Sequence, residues 1–318
     1  MSQKAATRAT SAVVMMAILA VIFYLGHFAV CISVCALGGL VYRELLNVRY
    51  KAHNSKILGK VARFRTIQWL WFAVGLHFAY KSDFAKAPMG LLQSYAAPIL
   101  ALDQTALSFA LYSIVFVTTV VSLRGTEEEL RFQIEQLCWS IAAISVTVGQ
   151  MKFSVANTYQ GLFWIVFPGL LVAMNDTGAY ISGKSCGKKC TTRLFFPLSP
   201  NKTWEGFIGA AIMTCVAGYF LPLPLAGSDW LRCSYAELKL GDNNLTCTTS
   251  TVFTPALIVK TPFGGILEVE RFGMGPIAPI QLHGVVMGLF ASLVAPFGGL
   301  FASVVKRAYG LKDFDNIM

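Results

Sequence analysis

The spacing of its charges is what most limits the fold of this chain. Lys, Arg, Asp and Glu are absent from Ala9 to Tyr42, Thr66 to Tyr80, Gln104 to Leu123, Gln136 to Met151, Phe153 to Asn175, Gly206 to Ser228 and Phe272 to Val305. A helix that crosses a membrane needs roughly 20 mainly apolar residues, with about 17 as the practical minimum. Most of these runs therefore supply one span each. Only 13% of the 318 residues are charged, where a soluble domain carries about 25%; 55% are apolar and the mean hydropathy is +0.60. A soluble globular protein is excluded on those grounds. Disorder is excluded as well, because 23 Phe, 11 Tyr and 6 Trp are far more apolar surface than an unfolded polar chain carries. What remains is an all-α, polytopic integral membrane protein.

The run from Ala9 to Tyr42 is long for one span and barely enough for two, with Gly26 and His27 at the natural turn. Loop charge decides between the two. Arg49, Lys51, Lys56, Lys60, Arg63 and Arg65 follow this run with no acid among them, and Lys4 and Arg8 precede it. Both flanks are cytoplasmic by the positive-inside rule, so an even number of crossings separates them. Two spans there give about eight in all, with Pro276 and Pro279 trimming the last run to a helix that starts near Ile280. The N-terminus lacks a small-residue cleavage site and reads as a first span rather than a removed signal peptide.

The remaining loops alternate: Lys81 to Asp103 lumenal, Arg124 to Glu135 cytosolic, Lys152 to Thr158 lumenal, Asp176 to Glu205 cytosolic, about 223–279 lumenal, and Lys306 onward cytosolic. The sequon Asn244-Leu-Thr246, and Cys233 with Cys247 as a potential disulfide, suit the long lumenal loop. A second sequon, Asn201-Lys-Thr203, falls on the opposite side. Residues 1–318 read as one membrane-embedded domain. Cys31, Cys35, Cys138 and Cys215 lie in apolar runs and read as small buried hydrophobes. Cys186 and Cys190 have no histidine nearby, so a zinc site is not expected there.

In a chain this poor in charge, ionisable residues at span ends carry the information. One group is Asn175-Asp176 at the end of the sixth span, followed by Lys184, Lys188, Lys189, Arg193 and then Ser199-Pro-Asn-Lys202-Thr-Trp-Glu205-Gly206. The other is Ser303, Lys306, Arg307, Lys312 and Asp313 at the exit of the last span. Snorkelling anchors explain the basic 49–65 segment adequately. They explain these two groups less well, because here bases are mixed with acids, serines and glycines. Cations neutralise phosphate, whereas a carboxylate is needed when a divalent metal bridges phosphate to protein. Gly178, Gly183 and Gly187 permit close backbone approach, yet they do not form a Walker loop. The four histidines are scattered and offer no nucleophile-activating arrangement. The residues point to a metal and phosphate site without covalent catalysis.

At these residues the sequence resembles a known family. Ser199-Pro-Asn-Lys-Thr-Trp-Glu-Gly-Phe-Ile-Gly209, with Asn175-Asp176 and Ala179-Tyr180 before it, is similar to a block of the eukaryotic phosphatidate cytidylyltransferases, the CDP-diacylglycerol synthases. Pro296-Phe-Gly-Gly-Leu-Phe-Ala-Ser303, Lys306-Arg307 and Lys312-Asp313 resemble the start of that family's signature, Ser, two residues, Lys-Arg, four residues, Lys-Asp. The resemblance runs over most of the chain from about Arg124. The signature continues beyond Met318 with a His-Gly-Gly and an Asp-Arg-x-Asp element, so a C-terminally incomplete member is expected.

The resemblance implies an enzyme that joins phosphatidic acid to CTP with magnesium, releasing pyrophosphate and CDP-diacylglycerol. It works at the cytosolic face of the membrane, that of the endoplasmic reticulum by expectation, with no nucleic-acid partner and with a homodimer left open. Lys202, Lys306, Arg307 and Lys312 are then the expected phosphate-neutralising catalytic cations, with Asp313 beside them. Asp176 and Asp313 are the expected metal or metal-water ligands. Asn175, Ser199, Thr203, Trp204 and Ser303 are the expected substrate-binding residues. Trp204 suits an interfacial anchor better than a stacking platform for cytosine, and Glu205 suits a helix-start acid. A transporter also places rare charges in a bundle, but here they gather at span ends without inverted symmetry. A CTP-dependent polyprenol-type lipid kinase would share the nucleotide but not the Ser303 to Asp313 pattern.

Overall fold

A computed structural model describes residues 3–52, 62–84, 103–187, 189, 191, 195–196, 202–235, 247–268 and 275–310. Its long helices are α1 (Gln3–Tyr24), α2 (His27–Ala52), α3 (Ala62–Phe84), α4 (Gln104–Ser122), α5 (Glu127–Gln160), α6 (Phe163–Cys186) and α7 (Trp204–Phe220). The short helices α8 (Pro222–Ala226) and α9 (Asp229–Arg232) follow, then α10 (Pro279–Leu293) and α11 (Ala295–Ala308). Each of the eight expected spans falls on one long helix or on one interrupted helix. Among the described residues, His27–Val48, Gln104–Ser122, Trp204–Ala226 and Pro279–Ala308 are long and apolar enough to cross a membrane, and Val13–Tyr24 is a shorter apolar stretch. The chain is an all-α integral membrane protein.

The first run forms two helices, α1 and α2, and the turn between them lies at the expected place. Gly26 turns the chain with φ +88°, a conformation that glycine adopts without a Cβ penalty. Three boundaries differ from the charge-based reading. The fifth helix does not stop at Lys152; α5 continues to Gln160 and the turn is made by Gly161, at φ +140°. The sixth helix does not stop at Asn175-Asp176, since α6 runs on to Cys186. The last run forms two helices rather than one, because Pro296 follows a break at Val294 between α10 and α11. A charge costs free energy in hydrocarbon but does not break a helix. Glycine and proline do.

The chain forms two compact units, residues 1–31 with 156–307, and residues 32–155 with 308–318. In the first, Phe163, Phe167 and Leu171 of α6 pack with Ala217 of α7, Ile280 of α10 and Phe253. Phe163 stacks on Phe167 at 5.3 Å and meets Phe253 edge-on at 5.0 Å. Between α9 and α10 lies a two-stranded antiparallel sheet of β1 (Ile258–Lys260) and β2 (Ile266–Glu268), in which Ile258 pairs with Glu268 and Lys260 with Ile266. Cys233 and Cys247 are joined as a disulfide, as their place in the long loop suggested, with Cα atoms 5.6 Å apart.

The second unit packs the body of α2 with α3, α4 and α5. Its interior holds polar groups that an apolar bundle must satisfy internally. Gln68 Nε2 donates to Ser140 Oγ at 2.6 Å and to Gln136 Oε1 at 3.3 Å. Tyr42 donates its hydroxyl to the Gln68 carbonyl at 2.8 Å, and Trp139 Nε1 donates to the Leu45 carbonyl at 2.8 Å. These bonds tie α2, α3 and α5 together and fix their rotation about one another. Asp103 caps α4 by accepting from the Thr105 and Ala106 amides at 2.8 and 3.4 Å.

Candidate functional site

The site is built on a seam of small residues where α6, α7 and α10 approach closely. A Cβ on Gly178 would lie 3.2 Å from the Ala210 Cα, and one on Gly206 would lie 3.0 Å from the Ala179 carbonyl. A Cβ on Gly209 would collide with Ser182, and one on Gly288 would lie 2.9 Å from the Thr214 carbonyl. In a bilayer, helices gain from such close packing because hydrocarbon gives them little other reason to associate. The pairings also fix direction: rising numbers on α6 and on α10 meet falling numbers on α7. The C-terminal part of α6 therefore lies against the N-terminal turn of α7.

That turn carries Lys202-Thr203-Trp204-Glu205. Thr203 is the N-cap, its hydroxyl oxygen accepting from the Gly206 amide at 3.2 Å, and it sits beside Gly183 and Gly187 at the end of α6. The hydroxyl keeps its own proton to donate. Glu205 lies in the first turn, the expected place for a helix-start acid, and its Oε1 accepts from the Thr191 amide at 2.9 Å. That bond holds the connection from α6 to α7 against the helix start. Trp204, 39% exposed, meets the Phe195 ring edge-on at 4.8 Å. Lys202 is exposed immediately before this turn. A cation, an N-cap hydroxyl and the free amides of a helix start together make a setting for phosphate oxygens.

Asn175 and Asp176 sit two turns further into α6 and face different ways. Asn175 is buried, and its Oδ1 accepts from the Thr214 hydroxyl at 3.5 Å; the same hydroxyl makes its shorter bond, 2.7 Å, to the Ala210 carbonyl. Asp176 is exposed and makes no hydrogen bond or ion pair among the described residues. From Asp176 to Gly183 the helix rises about 10 Å, at 1.5 Å per residue, so the carboxylate stands well inside the level of Thr203. Lys184, near the end of α6, lies over the Tyr180 ring at 5.7 Å.

The second expected group begins on α11. Ser303 donates to the Gly299 carbonyl one turn back at 2.9 Å, and Lys306 and Arg307 occupy the last turn, where cations complement the helix C-terminus. Lys312 and Asp313 lie outside the described residues, as does Ser199. Among the described residues no three His, Cys, Asp or Glu side chains gather into a metal-binding group. The structure thus joins Asn175, Lys202, Thr203 and Trp204 through one helix pair. Sequence reasoning noted the glycines of α6 but missed Gly218, Gly284 and Gly288, although Gly284-x-x-x-Gly288 is the spacing that marks a close helix crossing.

A model of the cytidylyltransferase family matches residues 6–318. A probable phosphatidate cytidylyltransferase of Dictyostelium discoideum is 35% identical over 99% of this chain and 65% of its own length. Phosphatidate cytidylyltransferase 1 of Arabidopsis thaliana is 31% identical over 92% of this chain and 68% of its own length. Phosphatidate cytidylyltransferase 1 of Homo sapiens is 30% identical over 95% of this chain and 64% of its own length. The chain spans about two thirds of the length of these curated relatives. No solved structure matches it significantly. With a match that covers almost every residue and relatives that agree in name, the chain belongs to the cytidylyltransferase family.

Proposed function

We propose that the protein transfers a cytidylyl group from CTP to phosphatidic acid, giving CDP-diacylglycerol and pyrophosphate. The observation that carries this reading is the docking of the Lys202-Thr203 turn of α7 against the end of α6, the helix that carries Asp176. A phosphate oxygen of the lipid attacks the α-phosphorus of CTP, the bond from that phosphorus to the β-phosphate bridging oxygen breaks, and pyrophosphate leaves. Both reactants are polyanions, so the protein's task is to hold them in line and offset their repulsion. Lys202 neutralises phosphate, the Thr203 hydroxyl and the α7 amides orient phosphate oxygens, and Asn175 fixes α6 against α7 from inside the seam. Lys306, Arg307 and Lys312 add positive charge from the other segment, with Ser303 beside them. A nucleophilic side chain has no part in this chemistry.

Magnesium is the proposed cofactor. The residues fit it in a limited sense: magnesium is commonly held by one or two carboxylates with substrate phosphates completing the shell, and Asp176 is an exposed carboxylate without a protein partner among the described residues. Asp176, with Asp313, would hold the ion, which when bound supplies charge neutralisation for the phosphates. The proposed location is the endoplasmic reticulum, with the α6–α7 turn facing the cytosol, where a lipid headgroup meets a soluble nucleotide.

The test uses membranes from cells that express the full-length protein, given phosphatidic acid and CTP labelled on either the α- or the γ-phosphate. Cytidylyl transfer puts the α-label into lipid and the γ-label into pyrophosphate. A γ-label in the lipid fraction would instead identify a CTP-dependent lipid kinase and overturn the proposal.

A further inference from the structure

Between β1 and β2 the chain turns through Thr261-Pro262-Phe263-Gly264-Gly265. The turn is closed by backbone bonds: the Gly264 amide donates to the Thr261 carbonyl at 3.0 Å, and the Thr261 amide donates to the Gly265 carbonyl at 2.8 Å. Pro262 fixes φ at the first corner and Gly264 takes φ +83°. Phe263 is thereby held at the tip of the hairpin, 86% exposed, and Ile266, the first residue of β2, is 71% exposed. A closed turn fixes these two apolar side chains outward, where water would be a poor neighbour.

The root of the hairpin is fixed at the start of a membrane helix. Its other face is buried, with Val259 and Ile277 packed against Leu267 and against Leu282 in the first turn of α10. Ala256 and Ile277 exchange backbone bonds at 2.9 and 3.2 Å, and Pro279, two residues on, opens α10. The stretch Pro279–Ala308 is long and apolar enough to cross a membrane, so the bilayer surface lies beside this root. From Val259 to Phe263 the chain spans at most about 13 Å, at roughly 3.3 Å per residue. The headgroup layer is roughly 5–7 Å deep on each side of the hydrocarbon, and the tip has the reach to pass through it.

Charge is ordered along the hairpin. Between Ile258 and Glu268 there is one base, Lys260, and one acid, Glu268 itself. Lys260 pairs with Ile266 beside the turn, whereas Glu268 pairs with Ile258 at the root, and both charged side chains are exposed. A lysine next to an apolar tip places its ammonium at phosphate level while its stem follows the apolar side chains, and aromatic rings favour the same zone. The acid stands as far from the tip as the sheet allows. A protein partner requires no such order along the hairpin axis. A bilayer, whose polarity changes with depth, does.

We propose that the β1–β2 hairpin dips its tip into the leaflet that α10 enters at Pro279. Phe263 and Ile266 lie at the boundary between headgroups and acyl chains, and Lys260 lies at the lipid phosphates. The contact ties the long loop before α10 to the bilayer and is independent of the transfer reaction.

The experiment uses the full-length protein with benzoylphenylalanine in place of Phe263, Ile266 or Glu268, each reconstituted in phosphatidylcholine nanodiscs and irradiated. Adducts are mapped by mass spectrometry. The expected result is phosphatidylcholine joined through its acyl chain at 263 and 266, several-fold more abundant than at 268, which lies on the same face of the sheet as Ile266. Phe263→Asp in the chain that carries the probe at 266 should reduce that adduct several-fold. Phe263 is outside the packed core, so this variant should keep its elution profile. No lipid adduct at 263, equal labelling at 263 and 268, labelling at 266 that Phe263→Asp leaves unchanged, or a polypeptide adduct in place of lipid in native membranes would each overturn the proposal.

Discussion

Gly218 on α7 and Gly284 on α10 bring their backbones so close that a Cβ on either residue would overlap the carbonyl oxygen of the other. The same two helices meet again one turn away, where Gly288 lies against the Thr214 backbone. Thr214 is in turn the residue that hydrogen-bonds Asn175 on α6. Thr214 thus links the crossing of α7 and α10 to α6, beside the direct contact of the Phe167 ring with Gly284.

Alanine at Gly218 or Gly284 should force these helices apart. The expected loss is about 1–3 kcal/mol, the usual cost of overpacking, read as a lowered thermal midpoint of the detergent-solubilised protein. Gly298→Ala is the matched control, because a Cβ there meets nothing within 4 Å; a helical glycine replaced by alanine gains roughly 0.5–1 kcal/mol. Equal midpoints for all three variants would show that the close crossing does not bear on stability.

Much of the fold is legible in the sequence because charge-free runs of span length have few alternatives in a bilayer. The boundaries are less legible. Charge marks where hydrocarbon should end, but the backbone of α6 continues past Asp176 because Gly178, Ser182 and Gly183 still pack on α7. α5 likewise runs past Lys152 to Gln160, with Val155 and Thr158 buried on that stretch. Side-chain partners across the chain were invisible. His27, read only as one of four scattered histidines, donates from Nε2 to the Cys233 carbonyl at 3.2 Å, a residue 206 positions away. No spacing rule reaches that far. The site was legible as residue types, while the inward turn of Asn175 and the outward turn of Asp176 needed the packing of α6 on α7.

The contrast between these neighbours gives a second prediction. Asp176→Asn leaves an exposed side chain of nearly the same shape, so the solubilised protein should keep its thermal midpoint. Turnover in membranes containing the full-length protein should fall by about a hundredfold, the scale on which one transition-state contact is lost, and the magnesium concentration for half-maximal rate should rise. Unchanged magnesium dependence would remove Asp176 from the metal site.

Lys202→Ala should likewise reduce turnover by about a hundredfold with insertion intact, because an exposed cation ahead of an N-cap contributes little to packing. Lys202→Arg should recover a part of the rate by restoring the charge. Normal turnover in Lys202→Ala would reduce the residue to a positive-inside anchor.

The Cys233–Cys247 bond closes a short loop, with a sequence separation of 14. Loops of this size gain about 3 kcal/mol from closure. Under denaturing conditions, maleimide mass-tagging should detect two more thiols after reduction than before it. Cys233→Ser should make the segment that follows more sensitive to protease. An unchanged tag number on reduction would show that the pair is not oxidised.

Parity along the chain makes the final prediction, and it does not depend on how α1 and α2 are counted. Between the basic 53–61 segment and Asn201 the chain passes, among the described residues, through the long helices α3, α4, α5 and α6, an even number. Between the same segment and Asn244 it also passes through α7, which makes the number odd. With each of these helices crossing, the two sequons are expected on opposite sides of the membrane, with Asn201 on the side of the cytosolic segment by the positive-inside rule. Glycan should be carried by Asn244 alone: the endoglycosidase-sensitive mobility shift disappears in Asn244→Gln and persists in Asn201→Gln. In the same sealed microsomes an epitope inserted at 54–58 should be open to added protease, whereas one inserted at 241–246 should be protected. Protection of the first epitope, or a glycan at Asn201, would mean that one of the four helices between them does not cross, and α5 and α6, joined by the tight turn at Gly161, would be the pair to re-examine.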